Sequence, residues 1–448
     1  MRFVSWIMVG LAIVINPIGE TTISVAQPIG GTVAQVKPVP LKQALDRGDI
    51  EDAVRQIETG WKSQYETYYE RKIANPLLSI EQMQAVLRQN ASSTGKRSAI
   101  VYVVPTPNAL ELLVISPDGK PIHHRVDDAK PANLKALLDK FRENVVNIER
   151  DPGDYLPPAQ ALHRLMIQPI EAELKSQNIT NLIFCLGANL RSTPIAAIHD
   201  GKQFLAEKYS VAIVPAFSLM SQRPANLQNA RVLAMGASEF QDLKPLREVP
   251  KELDVIDSLW DGQKFLNQDF TVTRLNAERA RAPYSILHLA THAAFSPGQV
   301  NDSYIQFWEQ RVQLNQVQKL NLNAPEVQLL VLSACQTALG DQQAELGFAG
   351  LAVQSGSQAA IASLWRADDA GTLVLMTEFY RQLRTTPSKA EALRRAQTAL
   401  LSKQVSTAVN LATRSGNTSG NAALNDVIKT NLSHPYYWAT FTLIGNPW

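Results

Sequence analysis

Two kinds of hydrophobic spacing divide the chain. From Leu41 to about Leu87 apolar residues recur at helical intervals, and "LKQALDRGDIEDAVRQIETGWKSQYETYY" predicts two helices broken at Arg47-Gly48-Asp49. One helical pair cannot bury its own apolar face, and no second copy follows. The segment therefore predicts an arm packed on the next domain, not a solenoid. "RSAIVYVVPTPNALELLVISPDGKPIHHRV" is different: β-branched residues dominate, with Thr-Pro-Asn and Pro-Asp-Gly breaks, which predicts a β-hairpin. Helices are predicted at 131–147 and 157–177.

From Asn181 the alternation disappears. Short continuous apolar runs follow one another: "NLIFCLG", "RVLAMGA" at 231–237, "SILHLATH" at 285–292, "VQLLVLSAC" at 327–335, "AAIASLW" at 359–365 and "WATFTLIG" at 438–445. Unalternated runs bounded by turn residues fit strands buried on both faces. Helical patterns lie between them at 344–354, 371–384 and 387–403. The fold class expected is α/β, a mainly parallel six-stranded sheet flanked by helices, preceded by the helical arm and the hairpin.

In open α/β sheets reactive groups gather beyond the carboxyl ends of the strands. The third run ends in Thr291-His292 and the fourth in Ser333-Ala334-Cys335. The intervening segment is long enough for a crossover between parallel neighbours, which takes at least about a dozen residues. If the two strands are adjacent, His292 and Cys335 share one edge. An imidazole there takes the thiol proton, and the thiolate is the nucleophile. The amides of Ala293 and Cys335 would face a developing oxyanion. The opposing reading is that a cysteine in an apolar strand is inert core, as expected for Cys185. His288 reads as a core residue and His434, before Pro435, as a structural hydrogen-bonder. His199 falls in a turn, and His123, His124 and His163 have no constellation around them.

Composition narrows the function. Of 448 residues 45% are hydrophobic and 19% charged, with a net charge of +2. This is no polybasic footprint, so nucleic acid is not an expected partner. The 2 cysteines exclude a disulfide framework and a Cys-rich zinc site, leaving open a single Cys185–Cys335 bridge. At the N-terminus Arg2, an apolar stretch from Val4 to Ile15 and Ser24-x-Ala26 predict a signal peptide over 1–26, followed by a Pro/Gly linker over 27–40. The product is expected to be exported, to the periplasm or the cell exterior. If the segment is not cleaved, it is a membrane tether instead.

"ILHLATHAAF", "LLVLSACQTALGD", "ELGFAGLA", "AAIASLWRADDAGT" and "HPYYWATFTLIGNPW" resemble the CHAT family of caspase-like cysteine peptidases. "CLGANLRSTPIAAIHDGKQFLAEKYS" is similar to that family's first strand and the loop beyond it. The likeness covers roughly 100–448 and is narrower still to cyanobacterial-type members with a short helical segment, here 41–95, a TPR-like remnant. It implies a caspase-like domain over 96–448 and a dyad of His292 and Cys335. It also implies a pocket after the fifth run, where Trp365-x-x-x-Asp369 matches the family pattern. There Asp369, with Asp368 and Trp365, would receive a basic residue before the scissile bond. A competing reading makes the acid an N-cap for the helix that follows, and Arg366 would instead favour an acidic substrate residue. Glu345 reads as a first-turn helix acid or as a group steering a loop. Where relatives often have glycine after the histidine, this chain has Ala293, which leaves open a weakened oxyanion site.

The function expected is a cysteine endopeptidase cleaving a protein or peptide after a basic residue, with no cofactor. The alternative is a catalytically weak CHAT module acting as a signalling scaffold. A regulatory protein would bind through the N-terminal helices, and a membrane would matter only if the signal segment stays uncleaved.

Overall fold

The computed structural model describes residues 37–337, 339–404 and 432–448, with backbone alone at 38 and 334–336. The signal segment at 1–26 and the linker up to 36 lie outside the described residues. Helices α1 (Pro38–Asp46), α2 (Ile50–Tyr68) and α3 (Ile80–Thr94) come first. The linker reading is corrected at its end: α1 starts at Pro38, because a proline with its fixed φ and missing N–H suits a helix's first turn. Asp49 caps α2 by accepting from the Asp52 amide, and Ser79 with Gln82 forms a reciprocal capping box on α3.

Strands β1 (Ser98–Pro105), β2 (Leu110–Ile115) and β3 (Ile122–Val126) form an antiparallel meander. Helices α4 (Pro131–Val146), α5 (Pro152–Met166) and α6 (Glu171–Ser176) lead to β4 (Asn181–Leu186), then α7 (Leu205–Lys208) and β5 (Ser210–Val214). The next stretch holds β6 (Val232–Gly236), α8 (Val249–Leu259), β7 (Gly262–Leu266), α9 (Val272–Arg281) and β8 (Ile286–Phe295). After two short strands, β9 (Tyr304–Gln306) and β10 (Arg311–Gln313), comes β11 (Leu329–Thr337). The chain closes through α10 (Gln342–Ala349), α11 (Leu351–Ser355), β12 (Ala359–Ser363), α12 (Asp369–Leu383), α13 (Lys389–Leu401), α14 (Pro435–Trp438) and β13 (Phe441–Gly445).

All these strands join in one sheet of 13, ordered β10-β9-β8-β11-β12-β13-β5-β4-β1-β2-β3, with β6 also paired to β8 and β7 paired to β6. Every run read as a strand from sequence is one, and the sheet is mainly parallel. It is larger than the six strands expected. The meander is part of it, through parallel pairing of β1 with β4. The short β5 was missed, and β7 is a half-exposed edge strand carrying Gln263 and Lys264, whose pattern has no continuous apolar run. β13 runs antiparallel to β12 and parallel to β5.

The helical arm is fastened to this sheet by a buried charge. Glu58 of α2 is fully buried. Its carboxylate accepts from the Tyr102 hydroxyl at 2.7 Å and from the amides of Phe217 and Ser218 at 2.8 and 2.9 Å. Three donors satisfy it, so the buried anion is stabilised rather than penalised. Further along, the Tyr69 hydroxyl donates to the Leu346 carbonyl. Gly350 permits this approach, since a Cβ there would stand 2.2 Å from that hydroxyl. Among the described residues no helix is long and apolar enough to cross a membrane. Glu58→Ala strands three buried donors, so it is expected to lower unfolding free energy by about 3 kcal/mol. A urea titration showing a reduced midpoint at unchanged slope would bear this out.

Candidate active site

β8 and β11 are parallel neighbours, and both outlast the strands on their other sides. The β6 ladder on β8 ends at Gly236↔Ala290, and the β12 ladder on β11 ends at Leu332↔Ala362. Between Leu332↔Leu289 and Ala334↔His292 the register shifts, with Ala290 and Thr291 set against Ser333 alone. This is a β-bulge, a device that bends a strand and re-aims its side chains. The next rung pairs Cys335 with Ala293. The backbones of His292 and Cys335 thus lie on adjacent strands one rung apart, a Cα separation of roughly 6 Å from standard sheet spacings. The expectation that both strands stop at these residues is corrected. β8 runs on to Phe295 and β11 to Thr337, because β9 takes up the edge of β8 at Ala293 and Ala294.

The loop between β6 and α8 holds the histidine ring. His292 Nε2 donates to the Lys244 carbonyl at 2.8 Å, and Phe240 meets the ring edge-on at 4.7 Å and 60°. A carbonyl only accepts, so Nε2 carries the proton and, in the neutral ring, Nδ1 carries the lone pair. Burial pushes the His292 pKa down; the Lys244 carbonyl opposes this, Arg366 adds to it, and Asp369 opposes it. The net direction favours a neutral ring able to accept a proton.

His292 opens onto a narrow cleft whose walls include Glu248, Glu252, Ser333, Arg366, Asp369 and Thr372. The two acids after the fifth run have different places. Asp368 is the N-cap of α12, accepting from the Gly371 amide at 2.8 Å. Asp369, half-buried, lines the cleft. Burial and the neighbouring Asp368 raise its pKa, while Arg366, the Arg247 amide and His292 hold it down. Trp365 lies away from this cleft: its indole donates to the Tyr436 carbonyl at 3.2 Å and stacks on the Tyr436 ring. Arg366 is exposed at the cleft mouth. Ala293 is buried inside β8 between β11 and β9, and its φ is not positive.

The other candidates separate cleanly. Cys185 is a free thiol buried in β4, its pKa pushed well up by burial, as befits core. His434 accepts from the Tyr436 amide and faces the Arg150 carbonyl, a structural role. His199 accepts from the Gly201 amide in its turn. Glu345 is in the first turn of α10, but it is buried and paired with Arg142 at 3.1 Å. His288 is core, yet not isolated: Nδ1 lies 3.1 Å from the Tyr380 hydroxyl and Nε2 3.1 Å from Glu252. Glu252 in turn accepts from the Ser333 hydroxyl at 3.3 Å. Sequence reasoning missed Glu252, Phe240 and the Lys244 carbonyl. A backbone carbonyl leaves no side-chain signature, and Glu252 has the look of any amphipathic-helix acid. Among the described residues no group of His, Cys, Asp and Glu is arranged to hold a metal ion.

A mainly parallel sheet carrying a histidine and a cysteine on adjacent strands has the architecture of the caspase-like peptidase folds. The chain belongs to the CHAT domain family, which matches residues 156–446. Among solved structures it is similar to the Saccharomyces cerevisiae separase–securin complex at a TM-score of 0.51 and 10% identity, over 90% of this chain and 34% of that one. The chain therefore spans about a third of the length of that relative. The Arg-specific cysteine proteinase gingipain R is similar at a TM-score of 0.38 and 11% identity, over 70% of this chain and 74% of that one. At such identities the separase likeness is one of fold. No curated protein sequence matches the chain significantly.

His292 is expected to titrate below the ordinary histidine value of about 6.5. The Asp369 carboxylate favours the imidazolium, so Asp369→Asn should move the midpoint lower still. A midpoint that rose in the variant, followed by histidine-resolved NMR, would contradict this electrostatic picture.

Proposed function

We propose that the chain is a cysteine endopeptidase of the CHAT type, using His292 and Cys335 and cleaving after a basic residue. The observation that best supports it is the imidazole fixed through Nε2 by the Lys244 carbonyl, one rung from the Cys335 backbone. In this reading His292 Nδ1 takes the thiol proton and the thiolate attacks the scissile carbonyl carbon. The negative charge on the carbonyl oxygen is met by backbone amides, those of Cys335 and Ala293 being the candidates. The imidazolium then protonates the leaving amine as the peptide C–N bond breaks, leaving a thioester. A water activated by the same nitrogen hydrolyses it, releasing the carboxylic product and restoring the thiol. Every proton is carried by His292 and every bond change occurs at Cys335 or the substrate, so no cofactor enters the steps.

The specificity proposal rests on Asp369. With Asp368 committed to the helix cap, Asp369 is the acid after the fifth run that lines the cleft, alongside Glu248 and Glu252. A guanidinium or ammonium arriving there would pair with a carboxylate whose burial now disfavours its charge, so recognition and ionisation reinforce each other. Trp365 then contributes by packing Tyr436 and fixing the path of the chain into the cleft. Arg366, exposed at the mouth, sets a rival preference for an acidic residue.

A second reading, a scaffold with the fold but little activity, draws on Ala293 within a buried strand and on the docked helical arm. A regulatory protein bound through α1–α3 fits either reading; the separase relative was solved in complex with securin. The apolar N-terminal stretch supports a site of action outside the cytoplasm.

Cys335→Ala is expected to abolish cleavage of an arginine-containing peptide while leaving the circular dichroism spectrum intact; retained cleavage would remove the dyad from consideration. Asp369→Asn should cut kcat/KM for basic substrates by about 100-fold, the worth of one charge-assisted pair of up to about 3 kcal/mol. A neutral-site peptide should be affected far less. Equal losses on both peptides would mean that Asp369 does not read the substrate.

A further inference from the structure

We propose that Arg142, Ser192 and Glu345 form a buried latch that fixes the turn following Cys335, making them positioning residues for the nucleophile. The inference rests on Cys335 acting as proposed above. The latch begins at Gly340, whose amide donates to the Ser192 hydroxyl at 3.1 Å. That hydroxyl donates in turn to Glu345 Oε1 at 2.6 Å, and the Ser192 amide adds a contact to the same oxygen at 3.3 Å. Arg142 completes it, with Nη2 3.1 Å from Glu345 and also bonded to the Asn189 carbonyl. Ser192 and Glu345 are 0% exposed and Arg142 is 3% exposed.

Three segments distant in sequence therefore meet at one carboxylate oxygen, α4, the loop after β4 and the first turn of α10, and the adjoining turn after β11 joins them through the Ser192 hydroxyl. The turn has little freedom. Gly340 has φ +78, a backbone that side chains disfavour, and a Cβ there would stand 3.0 Å from Arg142. Asp341, the next residue, caps α10 by accepting from the amides of Gln343 and Ala344. The chain that follows the strand carrying Cys335 is thus held at Gly340 and Asp341.

Energetics argue that stability is not the reason for the pair. Desolvating an arginine and a glutamate cancels much of their attraction, and apolar replacements of buried pairs are often neutral or stabilising. What a directional ionic network adds is a fixed backbone position. A nucleophile must sit at hydrogen-bond distance from its base, roughly 3 Å, and a displacement of about 1 Å from the productive geometry costs on the order of 100-fold in rate. The latch supplies that constraint from behind, while Lys244 supplies it for His292. Next to Ser192, Arg191 donates to Gln64 of α2 at 2.8 Å, so the helical arm touches the same loop.

The test uses the full chain with Ser192→Ala, Ser192→Thr and Glu345→Gln. Iodoacetamide labelling of Cys335 is read by mass spectrometry, with the buried Cys185 as internal control, alongside peptide turnover and melting temperature. Ser192→Ala and Glu345→Gln should each lower kcat by about ten-fold or more with KM little changed, and slow Cys335 labelling similarly. Ser192→Thr, which keeps the hydroxyl, should recover most of both. Wild-type kcat and labelling in both disruptive variants would overturn the latch, as would losses that simply track melting temperature. If the wild-type protein cleaves no peptide but labelling is still slowed and rescued, the latch stands and the peptidase reading falls.

Discussion

The structure depends on the pairing of β8 with β11 beyond the point where their outer neighbours depart. Within the main sheet these strands are ordinary apolar core. Past Ala290 on one side and Leu332 on the other, their ladders continue between each other and the short β9, while Phe295 packs on Phe348 of α10 and the Thr337 hydroxyl donates to the Ser363 carbonyl. A β-bulge falls at that transition. Backbone pairing there holds the main chain of His292 and Cys335 at a fixed separation. A pair of loops carrying the same residues would have to be ordered at each encounter with substrate, at the cost of conformational entropy.

Around that projection the protein places buried polar groups whose partners come from distant parts of the chain. Lys244, from the loop after β6, orients the histidine. Glu252 links His288 and Tyr380 in the core to Ser333, two residues before the cysteine. Glu345, Arg142 and Ser192 do the equivalent beneath the turn that follows. Glu58 ties the arm to the sheet in the same manner. Each carboxylate is met by directional donors, the condition under which burying charge in a low-dielectric interior is tolerable. The site is thus supported by directional polar contacts as well as by apolar packing.

Much of this was legible in advance. The continuous apolar runs announced strands buried on both faces, and the residues at the end of two of them singled out His292 and Cys335. The two-helix arm was readable from its period and its Gly48 break, and an acid after the fifth run could be anticipated as either cap or recognition group. In the structure Asp368 is the cap, and Asp369 lines the cleft beside His292. The edge strands β7, β9 and β10 were not legible, since a strand paired on one side or exposed on one face needs no apolar run.

What the amino-acid order determined by itself is local: period, capping residues, turn glycines and the chemistry of the side chains available. Those follow from interactions among residues a few positions apart. Only the folded chain decided which strands became neighbours, where β6 and β12 let go of the central pair, and which carbonyl faces the imidazole. These depend on contacts between segments scores to hundreds of residues apart, whose closure is governed by the packing of the whole sheet. A backbone carbonyl is the same at every position, so nothing in the letters could have named Lys244.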